Sequence, residues 1–488
     1  MKLSNLLSHI TPLEVLGNTE VEVSQLTQDS REATQGGLFF AVKGSSSDGH
    51  TFIPQVIARG VKVIVSESSL AHLAPTYPEV TLVKVAHLGK AMGLMADTFY
   101  NHPSQKLRLV GVTGTNGKTT IATLLYRLFK GWGASVGLLS TIAIYLNEER
   151  IETKNTTPDA LTLQRLLSQM VSQGIQYCFM EVSSHGVALE RIAGLQFAGG
   201  IFTNLTQDHL DFHKSFAEYR DTKKKFFDNL SKDAFALTNI DDKNGSFMLQ
   251  NTQARKYSYA LKTYGDFHAR ILENDLSGLV LRIDQKEVST QLIGSFNAYN
   301  LLAVYATATL LGVSQEEALK GLSLLGAVSG RFQWFVGKEN RTVIVDYAHT
   351  PDALENVLDT IAHIRKAGQR VITLIGCGGN RDKTKRPIMA QIAILKSDFV
   401  VFTSDNPRDE DPEAILAEMT AGVKAAQADK YTTVVDRREG IREAYLRSQA
   451  GDILLLAGKG HETYQEIKGV RTHFDDMEEA RTLMNEKN

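Results

Sequence analysis

The stretch Val110-Gly111-Val112-Thr113-Gly114-Thr115-Asn116-Gly117-Lys118-Thr119-Thr120 decides how this chain is read. Apolar, β-prone residues run into a glycine turn, and the turn opens a helix-compatible run from Ile121 to Lys130. Such an order suits the binding of a nucleotide triphosphate. Glycines let backbone N–H groups close round phosphate oxygens, and the start of a helix adds the positive end of its dipole. Lys118 is long enough to reach outer phosphates, and the Thr119 hydroxyl can ligate Mg²⁺. The general spacing Gly-x-x-x-x-Gly-Lys-Ser/Thr is not met, because Val112 stands where its first glycine would be. Gly114 shortens the pattern to Gly-Thr-Asn-Gly-Lys-Thr. On spacing alone, an ordinary strand–turn–helix corner stays open.

Outward from this stretch the chain has 488 residues, which predicts two to four domains. A hydrophobic content of 43% and a charged content of 22% are those of a soluble globular protein. The net charge of −2 leaves no electrostatic footprint for nucleic acid or an anionic membrane. The N-terminal run Met1 to Ile10 lacks the apolar core of a signal peptide, and no segment approaches the ~20 apolar residues of a membrane span. Cys178 and Cys377 sit in apolar, strand-like contexts and read as structural thiols of a reducing compartment. A cytoplasmic location is the expectation.

Three blocks follow from the punctuation. Residues 1–103 carry strand-like runs (Leu38 to Val42, Val61 to Val65, Val80 to Val85) and a helical stretch ending at Tyr100. Asn101-His102-Pro103-Ser104 breaks the pattern as a linker. Residues 104–331 begin with the glycine turn, with strands expected at Tyr177 to Val182, Gly199 to Asn204 and Ala234 to Ile240. Helical patterns lie between them, as at Leu161 to Gln173 and Phe216 to Leu230. Residues 332–488 alternate again, with strands at Thr342 to Val345, Arg370 to Ile375, Phe399 to Thr403, Tyr431 to Val435 and Asp452 to Leu456. The fold class is therefore α/β: a small N-terminal α/β unit, a central parallel-sheet unit resembling phosphate-loop ATPases, and a C-terminal Rossmann-like unit. Ligands belong at the C-terminal ends of the parallel strands and in the cleft between units.

Several polar clusters stand at those strand ends. Glu181 ends an apolar run and reads as a Mg²⁺ ligand or as a helix-capping acid. Thr203 to His213 offers two carboxylates and two imidazoles within six residues, Asp208, His209, Asp211 and His213, or else is a solvated loop. Lys223-Lys224-Lys225 follows Tyr219, and a lysine run by itself reads as a wet face. Thr350-Pro351-Asp352 starts a helix in the usual manner, which leaves Asp346 and His349 as candidates for ribose or phosphate contact. In the third block, Gly376 to Pro387, Ser404 to Arg408 and Ala457 to Glu462 all follow strand ends and should share one rim. That rim carries cations (Arg381, Arg408) and anions (Asp405, Glu462), which suits a zwitterion better than a phosphate; a merely exposed charged rim is the alternative.

These residues together resemble the Mur ligase family, ATP-dependent enzymes that form amide bonds in peptidoglycan precursors. The turn Gly114 to Thr120 is similar to that family's Gly-Thr-Asn-Gly-Lys-Thr-Thr loop, which accounts for the shortened spacing. Met180 to Gly186, Thr203 to Leu205 with Asp208 to Asp211, Gly294 to Asn297 with Asn300, Gly330-Arg331 and Asp346 to Pro351 follow in family order. So do Gln28 to Arg31 and Asp48-Gly49 near the N-terminus. Asp405-Asn406-Pro407-Arg408 resembles the form found in members that add meso-diaminopimelate to UDP-N-acetylmuramoyl-L-alanyl-D-glutamate. Arg408 can hold the far carboxylate of that amino acid in a two-pronged contact that lysine, its rival substrate, cannot return.

The resemblance implies roles position by position. Gly114, Thr115, Asn116, Gly117, Lys118, Thr119 and Thr120 would bind ATP phosphates, and Asn297, Arg331 and Asp346 would contact the nucleotide. Thr119 and Glu181 would share one Mg²⁺, and His209 would bind a second. Lys223, four residues after Tyr219, would be carbamylated, turning a cation into an anion that assists Mg²⁺. Ser30, Asn155, Thr156, Thr157, Ser183 and Arg191 would contact the UDP-linked dipeptide. Arg381, Asp405, Asn406, Pro407, Arg408, Gly458 and Glu462 would form the diaminopimelate pocket. Lys118, Glu181, His209 and Lys223 would carry the chemistry, and a monomer is implied. Two departures stand out: Asn380 replaces a usual aspartate, and Leu189 replaces a glutamine found in some members. The rivals are a lysine-adding member, a folylpolyglutamate ligase and an ATP-dependent binding module that makes no bond.

Overall fold

The computed structural model describes residues 1–44, 47–153 and 155–485, with the side chain of residue 485 left aside; residues 486–488 of the third block lie outside the described residues. Three large sheets organise the chain, in sequence order. The first has five strands in the order Glu14–Leu16, Thr81–Lys84, Val63–Ser66, Gly37–Phe40, Gln25–Thr27. Its strands run parallel except Glu14–Leu16 at one edge. Helix Leu88–Phe99 buries Leu88, Ala91, Met92 and Met95 against that sheet.

The central sheet has eleven strands. At its heart, Arg108–Thr113 lies between Gly199–Phe202 and Tyr177–Glu181, parallel to both. Alternation along this strand sends side chains to both faces. Val110 and Val112 join Ile121, Leu124, Leu125 and Leu301 in one core, while Leu109 joins Leu163, Leu167, Cys178 and Met180 in the other. A strand buried on both faces must be apolar throughout, which is why this segment reads so clearly. Ser295–Leu310 is apolar nearly all round because it is sandwiched, with eleven of its side chains buried.

The expected strands and helices of this unit form within one to three residues of their predicted limits. The sheet also continues where no strand was expected. Phe267–Asp275, Gly278–Ile283 and Lys286–Thr290 make an antiparallel meander at one edge, and Val136–Leu139, Ile144–Leu146 and Glu149–Ile151 make another. Most of these segments are short or charge-bearing with exposed positions and so carry little hydrophobic signal, while Val136–Leu139 is apolar and buried throughout.

The third sheet has six strands, Gln333–Val336, Thr342–Asp346, Ile453–Ala457, Val371–Ile375, Phe399–Thr403 and Tyr431–Val434, parallel except for the first. The order steps away from Ile453–Ala457 and Val371–Ile375 in both directions, so the loops after these strands open a crevice at one rim. Thr350 caps helix Pro351–Ile364 by accepting from the Ala353 N–H at 3.3 Å, as the Thr-Pro-Asp start predicts. Both cysteines are buried free thiols. No described helix is long and apolar enough to cross a membrane.

Candidate active site

A cavity of about 1120 Å³ lies between the central and C-terminal units. Its walls take in the glycine turn, the ends of Tyr177–Glu181 and Gly199–Phe202, and the rim of the third sheet.

The glycine turn can be built only from glycine at two points. Gly114 has φ +149° and Gly117 φ +89°. A Cβ on Gly114 would sit 1.9 Å from the Thr203 hydroxyl oxygen, and one on Gly117 2.7 Å from Asn300 Oδ1. The turn is pinned from the neighbouring strand end. Thr115 N–H donates to the Asn204 carbonyl at 2.9 Å, and Asn116 N–H to Asn204 Oδ1 at 2.9 Å. Helix Lys118–Gly131 starts directly after it, so the amides of Lys118, Thr119 and Thr120 have no intrahelical acceptor and stand at the cavity wall.

Lys118 donates to the carbonyls of Gly114 at 2.9 Å and Thr115 at 2.7 Å. Lys223 donates to the same Gly114 carbonyl at 2.9 Å. The lysine run is therefore not a wet face. Lys223 is 1% exposed and Lys224 6%, the latter paired with Asp228 at 2.6 Å; Lys225 alone is exposed. A period of 3.6 turns two of three adjacent lysines inward here because the helix packs beneath the turn. Burial, then the neighbouring Lys118, push the Lys223 amine well below the ordinary ammonium range. Burial likewise lowers Lys118.

Glu181 ends its strand and does not cap a helix; Ser183 does that, accepting from the Gly186 N–H at 3.0 Å. Instead Glu181 Oε2 accepts from the Thr119 hydroxyl at 2.9 Å, and Oε1 from the Thr141 N–H at 2.7 Å. Arg331 reaches the same hydroxyl through Nη2 at 3.1 Å while its guanidinium lies 4.5 Å over the Tyr347 ring. Asp208 lies 3.4 Å from His209 Nε2. Burial opposes ionisation of Asp208, yet His209, His349 and Lys385 around it bring the carboxyl below its usual range. Burial pushes His209 down, so its ring is neutral near pH 7. Asp346 accepts from the Phe332 N–H at 2.6 Å, and burial pushes its carboxyl up to about 6.

Thr157 orders the neighbouring wall. Its hydroxyl donates to the Glu181 carbonyl at 2.9 Å and accepts from Ser183 N–H at 3.0 Å, and its carbonyl accepts from Arg191 Nη1 at 2.8 Å. Asn155 and Thr156 line the cavity beside it. At the third unit's rim, Asp405 is buried, Asn406 Nδ2 donates to Glu462 Oε2 at 2.7 Å, and Arg408 Nη1 donates to the Gly379 carbonyl at 2.7 Å. Gly458 and Arg381 lie alongside.

Most expected residues thus share one cavity, but four do not reach its wall. Ser30 belongs to the first unit, where its carbonyl accepts from Arg59 at 2.9 Å. Gly114 lies beneath the turn, and its carbonyl serves the two lysines. Asn297 is 3% exposed and bonded to the Ile293 carbonyl and to Asn300; Asn300, three residues on, takes the place facing Gly117. Pro407 turns its carbonyl onto Gly379. Sequence reasoning missed Asp352, whose carboxylate accepts from Asn116 Nδ2 at 2.8 Å across the two units, and Lys459, which is wholly buried. Asp352 was masked by its role in helix punctuation, and a lysine between two glycines reads as exposed. Asn380 bonds Asp409 through Nδ2 at 2.8 Å and holds φ +54°, a conformation that suits asparagine, and Leu189 is exposed.

Fold and site together define a three-unit α/β protein built round a strand, a glycine turn and a helix. Comparison with known proteins makes the class specific. Models of the "Mur ligase family, catalytic domain", "Mur ligase middle domain" and "Mur ligase, glutamate ligase domain" match residues 22–100, 112–308 and 330–460. A UDP-N-acetylmuramoyl-L-alanyl-D-glutamate–2,6-diaminopimelate ligase of Phocaeicola vulgatus is 52% identical over 484 residues, 99% of each chain. One of Geobacillus kaustophilus is 41% identical over 497 residues, covering both chains completely. A solved structure described as a ligase of the same name superposes with TM-score 0.69 at 32% identity, over 99% of each chain. MurF ligase from Thermotoga maritima in complex with ADP shares the fold, with TM-score 0.63 at 18% identity over 95% of this chain and 97% of that one. The chain belongs to the Mur ligase family.

Proposed function

We propose that the chain is an ATP-dependent ligase that joins meso-2,6-diaminopimelate to UDP-N-acetylmuramoyl-L-alanyl-D-glutamate during peptidoglycan precursor synthesis. One observation carries the reading. A single cavity is lined at one end by the glycine turn with Lys118 and at the other by a rim of both signs that includes Arg408. The names of the full-length relatives agree with it.

In this reading a carboxylate oxygen of the D-glutamyl side chain attacks the γ-phosphorus of ATP, and ADP leaves. An amine of diaminopimelate then attacks the acyl carbon, and phosphate leaves. The protein contributes position and charge. The free amides of Lys118, Thr119 and Thr120 and the Lys118 ammonium face developing negative charge, and Arg331 brings a further cation from the junction of the two units. Asp346 accepts from a ribose hydroxyl. Asn155, Thr156, Thr157, Ser183 and Arg191 hold the muramoyl dipeptide beside Glu181, and Ser30 holds its uridine end. Asp352 bonded to Asn116 couples the third unit to the turn, and closure of that unit keeps water from the acyl phosphate.

The donor set fits Mg²⁺: the Thr119 hydroxyl and the Glu181 carboxylate, 2.9 Å apart at the turn, would hold it. Neutral His209 and the carbamate of Lys223 would serve a second ion. Bound there, Mg²⁺ would offset charge on the phosphates. Burial lowers the pKa of the Lys223 amine, which favours the unprotonated form that adds to CO₂ with loss of a proton. Buried free thiols suit the cytoplasm, where we place the reaction.

The test supplies purified protein, ATP, Mg²⁺ and the UDP-linked dipeptide with diaminopimelate or lysine, and weighs the product. A tripeptide with diaminopimelate, and little with lysine, is expected. ADP release without dipeptide and amino acid would instead mark a nucleotide-dependent binding module.

A further inference from the structure

Lys459 follows strand Ile453–Ala457 between Gly458 and Gly460 and is 0% exposed. Its ammonium donates to the Tyr464 carbonyl at 2.5 Å, to Asn406 Oδ1 at 3.2 Å and to Glu462 Oε2 at 3.3 Å; Asp405 Oδ1 is 3.8 Å away. An ammonium has three N–H bonds, and three acceptors take them all. Lys459 therefore has nothing left to offer a ligand. It acts through what it holds.

What it holds is one oxygen of Glu462. Oε2 receives Lys459 and the Asn406 amide at 2.7 Å. Among the described residues Oε1 receives only a long contact from the Tyr347 hydroxyl at 3.5 Å, and Glu462 lines the cavity. We propose that Lys459 is a positioning residue of the amino-acid pocket: it fixes Glu462 Oε2, balances one of the two carboxylates beside it, and leaves Oε1 as the acceptor for an ammonium group of the incoming diamino acid. This rests on the function proposed above.

The electrostatics support the geometry. Burial first, and Asp405 second, push the Glu462 carboxyl up, while Lys459 and the Asn406 bond pull it back. The other charged or titratable groups near it are Tyr347, Tyr464, His461, Arg437, Arg471 and, beyond Tyr464, Arg408. Arg437 is committed to Asp476, at 2.6 Å, and to the carbonyls of Ser404 and Ala457. Arg471 is paired with Glu466 at 2.9 Å. Lys459 is thus the one cation bonded directly to Glu462 among the described residues. Without it, Glu462 and Asp405 face each other in a poorly solvated rim, and protonation of Glu462 is the cheapest relief.

The experiment measures KM for diaminopimelate against pH in the full-length protein. In Lys459→Met the KM at neutral pH should rise about 10- to 100-fold, as expected for a charged hydrogen-bonding partner lost from a buried carboxylate, and should fall back towards the wild-type value as pH increases. The turnover at saturating amino acid and the KM for ATP should change little. Lys459→Arg, which keeps the charge, should keep the wild-type pH profile. In Lys459→Met/Glu462→Gln the KM should be high and independent of the shifted titration. A Lys459→Met profile that coincides with the wild type overturns the inference, as does loss of turnover with unchanged KM, which is the signature of a structural lysine. Should Lys459→Met fail to fold, Glu462→Gln and Lys459→Arg decide it. Glu462→Gln must remove the rise in KM at low pH, and a slope that persists there contradicts the proposal. If the wild type itself releases no ADP with diaminopimelate, the functional reading has failed, and the inference falls with it.

Discussion

The two ends of the cavity treat buried lysine in opposite ways. At the glycine turn, Lys118 and Lys223 converge on one backbone carbonyl, with no carboxylate within salt-bridge distance of either among the described residues. At the amino-acid rim, Lys459 is enclosed by Glu462, Asp405 and Asn406. The first arrangement leaves both lysine ends without a carboxylate partner and suits an arriving anion. The second sets one lysine against two carboxylates, so the ammonium group of an arriving ligand can complete it. Charge bookkeeping at this level separates a phosphate site from a zwitterion site before any ligand is considered.

The contrast can be broken most sharply at the turn. Lys118→Ala removes the cation proposed to face the transferring phosphoryl group, so turnover should fall at least ~100-fold in a coupled ADP assay. An unchanged rate would remove Lys118 from the chemistry. Lys223 offers the next test. With isotopically labelled bicarbonate, the wild type should show a carbamate carbon signal that Lys223→Arg lacks, and turnover of the variant should drop ~10-fold or more. A signal that survives the substitution would assign the carbamate elsewhere.

At the other end, Arg408→Ala should raise the KM for diaminopimelate about 10- to 100-fold while leaving that for ATP nearly unchanged, because a far carboxylate loses its two-pronged partner. Unaltered preference for diaminopimelate over lysine would contradict the specificity argument. The smallest effect concerns Asp346, whose carboxyl is pushed up to about 6 by burial. A raised carboxyl pKa means that the neutral form gains population as pH falls through 6. On the role proposed for it, the carboxylate that accepts from ribose is then lost, so the KM for ATP should rise a few-fold below pH 6. The sign for stability is opposite: the contribution of the buried neutral acid is full below the unfolded value near 4 and is lost as pH rises through about 6. Asp346→Asn should flatten both slopes, read by ATP kinetics and by thermal unfolding.

Much of this was legible in the sequence because it is local. An apolar run ending in Gly-Thr-Asn-Gly-Lys-Thr leaves little choice but a buried central strand, a glycine turn and a helix, and Thr350-Pro351 announces the next helix in the same way. What escaped depends on contacts distant along the chain. Lys459 is buried because residues 405–406 and 464 close over it, and nothing in its flanking glycines records that. Asp352 caps nothing unusual, yet it meets Asn116, 236 positions away, because two units face each other. Asn297 and Asn300 differ by three residues on one helix, and only the approach of Gly117 decides which faces the turn. The antiparallel strands from 267 to 290 were missed since their exposed faces carry glutamates, lysine and serine where a buried strand would carry valine.

In the proposed reaction a phosphoryl group passes from the glycine turn to a carboxylate before the rim of the third unit delivers an amine. The most direct measurement labels the D-glutamyl side-chain carboxylate with heavy oxygen and follows the label through a single turnover with ATP and diaminopimelate. One labelled oxygen should appear in the released inorganic phosphate for each tripeptide formed. Phosphate that carries no label, with tripeptide still produced, would contradict it.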